Sequence, residues 1–405
     1  MKKFATDKQI AYIAAEHQVG LLRLAATWSA ALREGVDSTN NETIGSLTEM
    51  LEKYKAVGDY SRESQKKFLE MQARVLQIRA KGFAEAAEYM ARQCEKLAEN
   101  ETKWAAAIAK QMQATGLKKT VRASAIVKYA AVEDGKTIDE SIKAAAAEDA
   151  ARISEVCREG VRKSKSLGEI VSEIRGTKES DYTDGTFEIA RKDAEQIART
   201  GCMGIADEAK MQFYIENQDV IIGIIHVATL SGNTCLVCGN LDGQIWDNPA
   251  QLNLVPNLPI HPNCRCVHLP LTEMWKVNRS KRPAEVENYW KEAERQYNEE
   301  HPGKRFDDLA RSTRLKYYYK AQKDYEERTG KPAFDQVPQN MSFAEWLKTK
   351  DDRYIESYLG KTRFMLYTKG KLPLNRFINP ETNTQFTIQQ LKELDIDAFR
   401  RAGLV

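Results

Sequence analysis

At 405 residues the chain exceeds the ~250–300 residues at which one core usually divides, so two or three domains are expected. A composition of 42% apolar and 29% charged residues describes large solvated helical surfaces and excludes a wholly disordered chain. The longest apolar run, Val220 to Leu230, is interrupted by Gly223 and His226 and is too short for the ~20 residues of a membrane span, while a net charge of +3 is too small for nucleic-acid binding by the whole-chain field.

The N-terminal string MKKFATDKQIAYIAAE lacks the apolar core and small-residue cleavage site of a secretory leader, so a cytosolic folding environment is expected. There, clustered cysteines point to metal before disulfide. Cys94, Cys157 and Cys202 are scattered through helical sequence, whereas Cys235, Cys238, Cys264 and Cys266 share one short stretch.

All eleven prolines lie at or after Pro249. An interior proline costs a helix about 3 kcal/mol, so the proline-free first 248 residues, rich in Ala, Glu, Lys, Gln and Leu, predict successive helices. Ile13, His17, Leu21, Leu24, Trp28 and Leu32 step by three and four, as do Trp104, Ile108 and Met112; His17 is expected to be a packed or boundary residue. Breaks are expected near Gly35 to Gly45, at TGLKKT from Thr115 and at EDGKTID from Glu133. An alanine-rich helix follows from Ser141 to about Ser166, and another from about Phe187 to Glu216.

Asp219 to Ala228 is short and β-branched and predicts a buried strand, with His226 facing a neighbouring strand. The stretch after it carries the chain's most distinctive chemistry. Cys235 and Cys238 form C-x-x-C, and His261, Cys264 and Cys266 form H-x-x-C-x-C. Two tight ligand pairs joined by a loop suit a tetrahedral structural zinc ion. GNLDGQ between them predicts a hairpin turn before a strand-like QIW. Five candidates exceed four coordination positions, so either His261 or one of Cys264 and Cys266 stands outside the coordination sphere. The competing reading is a set of buried thiols. A catalytic zinc is disfavoured because Asp242 and Asp247, the nearby acids, sit in turn contexts that favour Asp anyway.

Past Pro270 the chain turns Tyr-rich and basic, with helices expected over Ala284 to Glu300, Phe306 to Thr329 and Phe343 to Leu359, and an amphipathic element from Thr387. Residues 276–405 hold 26 Lys and Arg against 20 Asp and Glu. In RSTRLKYYYK and KTRFMLYTKGKLPLNR, the cations Arg311, Arg314, Lys316, Lys320, Lys361, Arg363, Lys369, Lys371 and Arg376 interleave with aromatics, as nucleic-acid surfaces do. The equal alternative is a solvated face whose tyrosines pack inward.

The GKT strings at Gly135 and Gly360 lack the upstream glycine of a phosphate loop, since Ala130 and Ile355 stand there. The E-x-E of Glu292 and Glu294 lies on a charged helix where paired glutamates are commonplace.

From Ala190 to Leu271 the chain resembles the phage head morphogenesis family, the Mu F-like minor head proteins. The likeness rests on the helix ARKDAEQIARTGCMGIADEAK, a strand ending in ATL, TC-x-x-C with LDG, and LPIHPNCRC with a hydrophobic-proline exit. It departs at Ser231, where family members often carry an acidic residue. The resemblance implies a virion protein of the capsid interior, associated with the portal, in contact with packaged double-stranded DNA and delivered with it during DNA ejection.

Together these readings give a predominantly α-helical α+β fold. Residues 1–175 form a helical region for docking on portal or on further copies of the chain. Residues 176–275 form a small α+β core with the Cys/His zinc site, and 276–405 a basic, aromatic-rich, mixed or helical region. The expected role is structural and non-enzymatic; the alternative is a phage-carried enzyme, an ADP-ribosyltransferase-like toxin or a nuclease, built on the same structural domain.

Overall fold

The structure is a computed structural model that describes residues 7–55, 62–118, 122–130, 135–261, 264–273, 283–285, 287–331, 334–336, 341–380, 382 and 384–405. The fold is predominantly helical α+β. The N-terminal part contains α1 (Asp7–Ser38), α2 (Asn40–Lys55), α3 (Arg62–Gln111), α4 (Ala123–Tyr129), α5 (Ile138–Arg162), α6 (Leu167–Arg175) and α7 (Thr186–Glu216). The α1–α2 break, expected across a whole polar segment, narrows to Thr39. Capping boxes start α5 and α6: the Thr137 and Ser166 hydroxyls accept from the amides of Glu140 and Glu169, whose carboxylates accept from the cap amides in return.

At 50 residues, α3 spans about 75 Å and forms the spine on which α1, α2, α4, α5 and α7 pack. It meets α1 at Gly35 and Gly82, where a Cβ on either residue would run into the carbonyl of the other. Trp28, Leu32, Phe83, Met90, Ala145, Ala194 and Ala206 fill the shared core; the alanines allow close helix approach. Buried Arg79 on α3 ties the bundle together. It donates to Asp149 on α5 at 2.5 Å, and to the Val36 carbonyl, Thr39 Oγ1 and Asn40 Oδ1 at the α1–α2 junction. His17 is a packed histidine: it bonds to Glu101 at 2.7 Å and stacks on Trp104, while Lys210 Nζ lies 3.6 Å from the same carboxylate.

The chain leaves α7 into a three-stranded antiparallel sheet, ordered β2-β1-β3, of β1 (Ile221–Val227), β2 (Ile245–Trp246) and β3 (Val267–Thr272), with α8 (Leu236–Leu241) between β1 and β2. The expected strand forms, and His226 faces His268 across β1 and β3. Strand alternation, reset by a register shift between Ile221 and Gly223, separates two covered faces. Ile225, Val267, Leu269 and Leu271 cluster with Ala14 of α1, while Ile221, Ile224 and Trp246 cluster with Met211, Phe213 and Tyr214 of α7 and with Ala105 and Ala109 of α3. Helix α7, grouped by sequence with the 176–275 core, packs mainly along the helical bundle, against α1, α3 and α5, and also meets β3.

The C-terminal part comprises β4 (Pro283–Glu285), α9 (Tyr289–Glu300), α10 (Arg311–Thr329), β5 (Phe334–Gln336), α11 (Phe343–Lys348), α12 (Asp352–Leu359), α13 (Lys361–Thr368), α14 (Ile388–Leu394) and α15 (Ile396–Ala402). The helix expected from Ala284 begins instead at Tyr289, where the Asn288 side chain caps it, and β4 pairs with β5 before it. The helix expected over 343–359 is divided because Asp351 starts a new one, its carboxylate accepting from the Tyr354 amide. An aromatic core of Tyr289, Trp290, Tyr297, Tyr318, Trp346 and Phe377 reaches back to Leu230 and Leu236 beside β1 and α8.

Candidate metal centre

Cys235 and Cys238 are brought together by a helix start. Cys235 has extended backbone angles and its sulfur accepts from the Cys238 amide at 3.3 Å, so it acts as the N-cap of α8. The expected hairpin is thereby corrected. Gly239, Asn240 and Leu241 belong to α8, and Asp242 and Gly243 turn the chain from that helix into β2, which lies along β1. Gly243 takes a positive φ of 78° and its amide donates to the His226 carbonyl, while Asp242 Oδ1 accepts from the Ala228 amide just past β1. The LDG string thus fastens α8 to the strand end.

The return segment supplies the remaining donors. The Cys264 amide donates to the His261 carbonyl, and Cys266 immediately precedes β3. Cys238 Sγ lies 3.2 Å from His261 Nε2 and 3.8 Å from Cys264 Sγ. Cys235, Cys238 and His261 form one group with mutual donor distances within 4.8 Å, and Cys238, Cys264 and Cys266 form another. All five sequence candidates therefore converge, with Cys238 common to both groups. Cys238, Cys264 and Cys266 are buried, and Cys235 and His261 are partly exposed.

This donor set fits a metal ion. A tetrahedral ion with metal–sulfur bonds of about 2.3 Å sets sulfur–sulfur edges of about 3.8 Å, the separation of Cys238 and Cys264. The hydrogen bond with Cys238 holds the Cys235 thiol down to about 5, with His261 assisting against the opposing effect of burial. Cys238 moves the other way, pushed up by its hydrogen bonds to Cys235, Cys264 and Cys266, while Cys264 is held well below the usual thiol range by Cys238 and then Cys266. A bound dication would draw the protons off its thiol ligands. The three scattered cysteines differ: burial pushes Cys94 and Cys157 up to about 12 and Cys202 higher still, as expected of packing thiols.

Behind the cluster, sequence reasoning placed His226 on its strand but did not single out His268 or Asp207. His268 shares a strand face with Cys266, and its Nε2 lies 3.1 Å from His226 Nδ1 while its Nδ1 lies 3.1 Å from Asp207 of α7. Asp207 also accepts from the Leu258 amide at 3.0 Å, anchoring the return segment. Spacing by two from Cys266 was the available signal for His268; no local signal marked Asp207. Arg265 donates to the buried Ser231 hydroxyl at 2.7 Å.

The basic candidates have different surroundings. Arg314 and Lys361 line a common cavity. Lys320 pairs with Glu300 at 2.5 Å and Arg363 donates to the Phe386 carbonyl. Lys316, Lys369, Lys371 and Arg376 are exposed, and the side chain of Arg311 lies outside the described residues. Of the interleaved tyrosines, Tyr318 is fully buried in the aromatic core and Tyr319 is exposed, so the run is no continuous stacking platform. Glu292 and Glu294 lie on α9, paired with Arg295 and Arg353.

The class defined by fold and site is a predominantly helical α+β protein with a Cys/His cluster able to hold a metal ion. The chain matches no family model, no curated protein and no solved structure.

Proposed function

We propose that the chain is a minor head protein of a tailed bacteriophage, a non-enzymatic component of the capsid interior built around a structural zinc site. The observation that carries this reading is that the separate strings behind the resemblance converge on one place. TC-x-x-C forms the N-cap and first turn of α8, LDG ties that helix to β1, and HPNCRC brings His261, Cys264 and Cys266 back to Cys238. Strings 20 to 30 residues apart in sequence meet only if the segment folds as one unit, which favours a common structural purpose.

Zinc is the preferred ion because soft sulfur donors with imidazole in a closed, tetrahedral arrangement suit it best. Bound there, it would cross-link α8, the return segment and the start of β3, a contribution on the order of 10 kcal/mol in structural zinc sites. The long helices of residues 1–175 offer the surface for portal or for further copies, and the basic C-terminal region the contact with packaged DNA. The test is detection of the chain in density-purified virions of the phage that encodes it. A full-length product that sediments with heads and resists external protease until the heads are opened is expected. Its absence from virions would overturn the reading.

A further inference from the structure

A cavity of about 580 Å³ opens between α9, α10, α12 and the start of α13. Five cations line it, of which Arg353 is paired with acids; the other four are chain-distant: Lys291 from α9, Arg305 before Phe306, Arg314 from α10 and Lys361, the first residue of α13. None of the four has a carboxylate partner among the described residues. The acids around them are otherwise engaged: Glu294 and Asp307 face Arg353, and Asp351 accepts from the Tyr354 amide and the Asn288 side chain. Of the lining acids, Asp351 and exposed Glu356 have no ion pair among the described residues, and Asp351 is held by two neutral donors.

Two further features favour an anion. The Arg314 Nε is buried and finds no acceptor among the described residues, a rare condition for so strong a donor. Gly360, which lines the cavity, turns α12 directly into α13 with a φ of 76°, and no side chain caps the new helix, so its first amides have no side-chain acceptor. A helix start favours negative charge, and guanidinium and ammonium groups together match the several acceptors of a phosphate.

We infer that this cavity is a phosphate-binding site, taking a phosphate ester through Arg305, Arg314, Lys291, Lys361 and the first amides of α13. The volume leaves room for more than the phosphate itself. Two sources share this chemistry, the backbone of a nucleic acid and a free nucleotide or polyphosphate. Only the first draws on the virion reading above; the site itself does not depend on it.

The test is calorimetric titration of the full-length protein with inorganic tripolyphosphate, and fluorescence titration with a labelled duplex of about 20 base pairs. The Arg314→Gln, Lys361→Gln double variant is compared with Lys323→Gln, whose side chain pairs with Glu327 on the outer face of α10. Saturable tripolyphosphate binding is expected, weakened about tenfold or more in the double variant and unchanged in the control. Competition by the duplex, with a salt slope reduced by about one per cation removed, identifies a nucleic-acid backbone; failure to compete identifies a small phosphate ligand. Absence of saturable binding of both probes, or equal binding by the double variant and the wild type, overturns the site. Because the readout is binding by the isolated chain, its failure is separable from absence of the chain from virions.

Discussion

The Arg79 guanidinium donates to the Asp149 carboxylate at 2.5 Å with both side chains wholly removed from solvent, joining α3 to α5 at the centre of the helical bundle. Burial pushes the Asp149 carboxyl up, and the adjacent Arg79 charge works against that. The pair is incompletely satisfied, since Arg79 Nη2 and Asp149 Oδ1 have no partner among the described residues.

Breaking this pair from one side strands a buried charge. Asp149→Ala is expected to cost about 3–5 kcal/mol, whereas the double variant Arg79→Met, Asp149→Leu should recover most of that loss by replacing ions with packed apolar groups. Urea unfolding of the three proteins decides it. A loss below about 1 kcal/mol for Asp149→Ala would show that the pair is dispensable.

The close approach of α1 and α3 yields a paired prediction. A methyl group at Gly82 would meet the Gly35 carbonyl and the Thr39 side chain, so Gly82→Ala should destabilise by about 1–3 kcal/mol or more. Gly45, in the middle of α2 with open space around it, should gain about 0.5–1 kcal/mol on the same substitution. Thermal unfolding of the two variants should move in opposite directions, and equal shifts would contradict this packing.

At the metal centre, Cys238 belongs to both donor groups. Cys238→Ser should therefore abolish metal retention, while His261→Ala should leave partial binding through the remaining sulfurs. Elemental analysis of protein purified without chelator is expected to give about one zinc per chain. Stripping that ion with a chelator should lower the melting temperature and disorder the segment from α8 to β3, read by hydrogen exchange. A metal-free wild-type protein of unchanged stability would leave the cysteines as packing residues.

The Asp242 carboxylate accepts from the Ala228 amide just past β1 at 3.1 Å. Asp242→Ala should cost about 1–2 kcal/mol, comparable to losing a helix cap, and Asp242→Asn should retain most of it, because the amide oxygen can accept the same bond. Equal losses for the two variants would mean that the charge, and not the hydrogen bond, is what matters there.

Local chemistry determined what was legible in the sequence. Proline exclusion and three-and-four spacing marked the N-terminal helices, β-branched residues marked β1, and the paired short spacings marked all five candidate ligands, because each signal is written within a few neighbouring residues. Tertiary structure decided what depends on distant partners. Gly239 to Leu241, expected in a hairpin turn, became part of α8, which the Cys235 sulfur caps. Helix α7 joined the bundle to the sheet because apolar and small residues cover more than one of its faces. Asp207, 61 positions from His268, entered the buried row behind the cysteines only through packing of α7 on the sheet. The basic residues followed the same division: composition showed their excess, but only the fold brought Arg314 and Lys361 to one cavity and turned Tyr318 into the core. Spacing along a chain constrains neighbours within a turn or a strand, whereas long-range charge pairing and burial are settled by which surfaces close on one another.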